Sequence, residues 1–83
     1  MMGLVEYTEE LKKLGFKVKE LAIDYGFEPR TYYSVMDAAN VRILVFELKP
    51  HLGFNNNFDA FAELSDITKE PLMKLTRKLL VGD

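Results

Sequence analysis

The chain has 83 residues, 48% of them apolar and 29% charged, with no cysteine and a net charge of −2. That length leaves room for one small domain, 1–83, able to bury only about 60–65% of its unfolded surface. The composition excludes a disulfide framework and a thiolate zinc site, and the acidic balance disfavours a strongly basic nucleic-acid binder.

The predicted elements follow helical spacing in chain order. Leu4, Tyr7, Leu11 and Leu14 are three or four residues apart, and Gly15 can end that first helix. Val18, Leu21, Ala22 and Tyr25 give a second helix ended by Gly26; Tyr32, Val35, Met36 and Ala39 give a third, with Pro29 in its first turn. Val41, Leu44, Val45 and Leu48 form a fourth, stopped by Pro50 and Gly53. Phe58, Phe61, Ala62 and Ser65 form a fifth, capped by Asn57 with Asp59 in its first turn. Leu72, Leu75 and Leu79 mark the last, which Pro71 requires to begin near Thr68 or Lys69. The expected fold is therefore all-α, a bundle of about five to six short helices. The alternative is α+β: "TYYSVM" and "VRILVFEL" are rich in β-branched and aromatic residues and could pair as a hairpin over 31–48, although the intervening "DAAN" lacks the Asn-Gly or Asp-Gly of two-residue turns.

The run "LKKLGFKVKELAIDYGFEPRTYYSVM", residues 11–36, resembles the helix-turn-helix of small bacterial and phage DNA-binding regulators. The residues that carry the resemblance are Gly15, Leu21, Ala22, Gly26, Phe27, Thr31, Tyr32 and Val35. It implies a motif core of Leu21, Ala22, Gly26, Phe27, Tyr32 and Val35, with Ala22 small because a third helix crosses it and Gly26 reversing the chain. It also implies that Arg30, Thr31, Tyr33 and Ser34 face the major groove from a helix over 29–37, and that Lys17 and Lys19 approach phosphates. Residues 9–38 nevertheless carry five basic side chains against six acidic ones, and Glu28 sets an acid beside the groove. "FAELSDITKEPLMKL" can be laid on the motif as a degenerate second unit within 52–81. The last helix adds Lys74, Arg77 and Lys78 as phosphate candidates, with Lys69, Lys74, Arg77 and Lys78 outnumbering Glu70 by three charges.

Other chemistry is sparse. His51 is the only histidine and has no second imidazole or acid partner in view, and Asp59, Glu63 and Asp66 at i, i+4, i+7 read as an acidic solvated stripe. No glycine-rich phosphate loop occurs, so neither an enzyme nor a metal or cofactor is expected. The N-terminus has no basic stretch followed by an apolar one, and no apolar run approaches the roughly 18–20 residues of a membrane span, so the expected location is cytoplasmic with no membrane partner. The expected function is a small DNA-binding transcriptional regulator, of phage or mobile-element type. It would act on double-stranded DNA as a homodimer joined through 41–48 or the last helix. The alternative is a protein-protein interaction module, an antirepressor or inhibitor, in which outward-facing Tyr33 anchors a protein partner.

Overall fold

The computed structural model describes residues 2–24, 26, 29–48 and 53–82. Helix α1 (Leu4–Lys13) stands where the spacing of Leu4, Tyr7 and Leu11 places it, and it buries Tyr7 and Leu11. Gly15 and Phe16 build its end. The Gly15 N–H donates to the Lys12 carbonyl at 3.1 Å and the Phe16 N–H to the Leu11 carbonyl at 2.9 Å, with Gly15 at φ +90°. This double bond pattern satisfies carbonyls that the helix leaves open, and it needs a residue free to adopt positive φ. Phe16 then enters the core beside Leu11, which fixes the direction in which the chain leaves the helix.

From there the chain is β rather than α, and the all-α bundle is overturned. Strands β1 (Lys17–Asp24), β2 (Pro29–Met36), β3 (Arg42–Glu47) and the short β4 (Gly53–Asn55) form one antiparallel sheet in the order β1-β2-β3-β4. The expected second, third and fourth helices are thus strands, and the observed β2–β3 pair is the hairpin of the alternative reading. Its turn is closed by Asp37 and Asn40 instead of Asn-Gly. Asp37 Oδ1 accepts the Ala39 and Val41 N–H groups at 2.9 and 3.0 Å, the Asp37 N–H donates to the Val41 carbonyl, and Asn40 takes φ +64°. A longer loop with one left-handed residue does the work of a two-residue turn, and Asn is among the few side chains that tolerate that conformation.

The helical spacing of Val41, Leu44, Val45 and Leu48 does not mark the inward face, since Val41 is exposed and Val45 and Leu48 are only half-buried. The β2–β3 register shifts between Val35 and Met36, pairing Val35 with Leu44 but Met36 with Arg42. The extra residue lets consecutive Ile43 and Leu44 both enter the core, and Phe46 and Glu47 are buried one step further on. Burial therefore departs from simple alternation because the strand is bulged, and of the residues with helical spacing only Leu44 is buried.

The core lies between one face of the sheet and the helices. Val35, Leu44 and Phe46 meet Tyr7 and Leu11 of α1 and Leu72, Leu79 and Leu80 of α3 (Asp66–Val81). The Tyr7 ring stands edge-on to Phe46 at 5.6 Å, and its hydroxyl lies 3.0 Å from Thr76 Oγ1. Thr76 gives its own proton to the Leu72 carbonyl at 2.8 Å, so Tyr7 donates to Thr76 and the two helices are tied by a fully used pair of hydroxyls. Burial pushes the Tyr7 hydroxyl up from 10.0 to about 12.

Helix α2 (Asp59–Ala62) is a single turn capped by Phe58 rather than by Asn57. Helix α3 begins at Asp66, earlier than Pro71 was expected to allow. Pro71 withholds a hydrogen bond from the carbonyl of Ile67, whose residue is 88% exposed, so water can take its place. Ala62 lies in α2 whereas Ala22 lies in β1, so residues 52–81 do not repeat an earlier unit. No described helix is long and apolar enough to cross a membrane.

Candidate functional site

Side chains alternate across a strand, so the register sorts the sheet into two faces. Val18, Val35 and Leu44 are opposite one another, as are Glu20, Tyr33 and Phe46; this is the face that meets the helices. Lys19, Ser34, Val45 and Asn55 align on the second face, followed by Leu21, Tyr32 and Glu47, with Lys17 opposite Met36. Leu21, Tyr32, Met36 and Val45 are half-buried there, yet none belongs to the core or to the apolar residues packed against it. They form an apolar strip of their own.

Two polar groups inside this strip are incompletely satisfied. Ser34 is 1% exposed and Glu47 is 9% exposed, and neither Ser34 Oγ nor Glu47 Oε1 has a hydrogen-bond partner. The other carboxylate oxygen of Glu47 lies 3.8 Å from an Arg30 guanidinium nitrogen. Leaving a buried hydroxyl and a buried carboxylate oxygen unpaired costs on the order of 1–3 kcal/mol each. Lys17 and Lys19 are exposed along the same face and, among the described residues, form no ion pair. The face therefore offers apolar contact area and two cations, with the Ser34 hydroxyl and Glu47 Oε1 buried beneath it.

The residues expected to form a helix-turn-helix are redistributed by this geometry. Arg30, Thr31, Tyr33 and Ser34 were expected to share one outward face of a helix. On β2 they separate, Arg30 and Ser34 onto the second face, Thr31 and Tyr33 onto the face that meets the helices. Tyr33 does not project outward at all; it stacks on Phe46 with centroids 5.5 Å apart. Of the expected motif core, Val35 is fully buried, whereas Leu21 and Tyr32 lie on the second face and Ala22 is exposed with no helix crossing it. Gly26 has φ +94°, in keeping with a chain reversal, but it lies between two strands. Tyr25, Phe27, Glu28, Pro50 and His51 lie outside the described residues.

The phosphate candidates do not form one surface. Lys17 and Lys19 line β1, and Lys74, Arg77 and Lys78 are exposed on α3. The surface expected to join two copies over 41–48 is occupied as well, since Ile43, Leu44 and Phe46 are core residues. Asp59, Glu63 and Asp66 fall on α2, its C-cap and the start of α3 rather than along one helix, and no metal-binding group of His, Cys, Asp or Glu occurs among the described residues. Sequence reasoning missed Glu47 and the roles of Met36 and Val45. The only available signal was the strand character of "TYYSVM" and "VRILVFEL", which, followed through with alternation, sets Ser34 and Val45 on one face. Comparison with models of protein families, with curated proteins and with solved structures finds no match.

Proposed function

We propose that this chain is a protein-interaction module whose partner docks on the second face of the sheet. One observation carries the reading: Leu21, Tyr32, Met36 and Val45 form a half-buried apolar strip that the core does not use. A docking polypeptide can cover that strip, while Ser34 Oγ and Glu47 Oε1 lie beneath it and out of its reach. Tyr32 is the expected anchor, in place of Tyr33, because tyrosine concentrates binding energy at interfaces.

The test is retention of a partner from a cell extract on immobilised protein, followed by affinity measurement with the purified pair. Tyr32→Ala is expected to weaken binding by about 30-fold, the size of an interfacial hot spot. Ser34→Ala should leave binding unchanged and the fold intact or firmer, since it removes an unpaired hydroxyl buried beneath the docking face. Equal retention by wild type and Tyr32→Ala would refute the assignment.

A second reading keeps double-stranded DNA as the ligand, through α3 rather than through a recognition helix. Lys74, Arg77 and Lys78 are exposed there and, among the described residues, have no carboxylate partner. It requires a mobility shift that weakens steeply with salt and disappears when all three are changed to alanine.

A further inference from the structure

We propose that strand β1 is the acceptor for an extended acidic segment of the partner, which adds to the sheet as a further strand with acidic side chains at alternate positions. This rests on the reading of the second sheet face as a docking surface, and it names the chemistry of what docks there.

Three observations converge on β1. It is an eight-residue strand at the end of the sheet order, so alternate residues turn their N–H and C=O groups away from β2. Among the described residues, no other backbone group pairs with that outer side. The opposite edge is formed by β4, only three residues long, which offers much less backbone to an added strand.

The charges on β1 then select the occupant. Lys17 and Lys19 are two residues apart and project on the second face, exposed and without ion partners among the described residues. Residues two apart on an added strand lie opposite them, close enough for cross-strand pairing. Glu20 projects on the other face, so acids placed there would be repelled. The preferred segment therefore alternates acidic side chains with neutral or basic ones, which a merely acidic peptide need not do.

A second copy of this chain is the poorer occupant. Antiparallel pairing of two β1 strands about a two-fold axis keeps each side chain on its own face, so only alternate registers are allowed. Centring on Glu20 sets the two Glu20 side chains opposite each other, and centring on Lys19 does the same for the two Lys19 side chains. Centring on Leu21 leaves the two Glu20 side chains diagonal neighbours. Like charges meet in each case, which keeps copies apart while leaving the edge open to a complementary strand.

The test uses dye-labelled eight-residue peptides with blocked ends: one alternating Glu and Thr, one with four Glu followed by four Thr, and one alternating Lys and Thr. Fluorescence anisotropy at low salt should show the alternating Glu peptide binding most tightly, and the Lys17→Glu/Lys19→Glu protein should bind it at least about tenfold more weakly. Alternate β1 amides should gain protection from hydrogen exchange on binding, which surface attraction alone does not produce. Equal affinity for the alternating and blocked Glu peptides, or binding undiminished in the double-lysine variant, overturns strand addition. Retention of the natural partner separates the two proposals. Loss with Tyr32→Ala but not with Lys17→Glu/Lys19→Glu keeps the docking face and removes the added strand, whereas loss with neither removes both.

Discussion

Tyr7 shows how one residue can set the alkaline limit of the fold. Its ring is fully buried against Phe46, and its hydroxyl donates to Thr76, which in turn donates to the Leu72 carbonyl. Because the neutral hydroxyl is favoured in the folded state, its ionisation moves from 10.0 to about 12. The folded state then holds a proton that the unfolded state releases, so stability is intact below pH 10 and falls as pH rises towards 12. The loss amounts to about 2–3 kcal/mol. Urea midpoints measured from pH 8 upward should fall over that window in wild type and fall much less in Tyr7→Phe. The same substitution should cost about 1 kcal/mol at neutral pH, since Thr76 keeps its bond to Leu72. Sequence spacing marked Tyr7 as an inward residue of the first helix, but its partner lies 69 positions away and no local pattern announces it.

At the scale of elements, the β2–β3 hairpin decides the fold, and its turn is the most testable part. Asn40 holds positive φ while Asp37 gathers the Ala39 and Val41 amides. Asn40→Gly should leave stability unchanged or raise it by a few tenths of a kcal/mol, whereas Asn40→Val should cost about 1–2 kcal/mol because a branched side chain clashes in the left-handed region. Thermal unfolding of the two variants checks this, and equal midpoints would deny the turn its role. The elements also differ in how far local chemistry declared them. Helix α1 was legible from Leu4, Tyr7 and Leu11 with Gly15 at its end, because periodicity and termination agree there. Strands β1 to β3 were not, for two reasons. Val18, Leu21 and Ala22 fit a helical spacing by coincidence, as do Val41, Leu44, Val45 and Leu48, of which only Leu44 is buried, and the bulge in β3 breaks the alternation that marks a strand. The candidate site was correspondingly half legible: Arg30, Tyr32, Ser34, Lys17 and Lys19 were singled out, but their grouping required a strand's alternation rather than a helix's turn.

At the scale of the whole molecule, one core serves both layers. Leu72 and Leu11 from the helices and Val35 and Leu44 from the strands are all fully buried in it. A chain of 83 residues has a total stability of only about 4–12 kcal/mol, and removing Leu72 to alanine should cost about 2–5 kcal/mol. Leu72→Ala is therefore expected to lower the urea midpoint severely, with helix and sheet signals in far-ultraviolet circular dichroism lost in a single transition. Separate transitions for the two layers would contradict a shared core. Charge is also distributed at this scale. The chain is acidic overall, yet Lys17 and Lys19 line the edge strand β1, and Lys74, Arg77 and Lys78 line α3.

By itself the sequence determined the first and last helices, the breaks at Gly15 and Gly26, and the absence of a cysteine framework or a phosphate loop, because each depends on residues close together in the chain. Only the tertiary structure decided that residues 17–24 and 29–36 are strands, that Tyr33 faces inward and Tyr32 does not, and that Ser34 and Glu47 are buried without full complements of partners. The physical reason is that strand pairing is non-local. A segment of mixed propensity becomes a strand when neighbouring strands supply its hydrogen bonds, and which of its two faces is buried depends on where the helices lie.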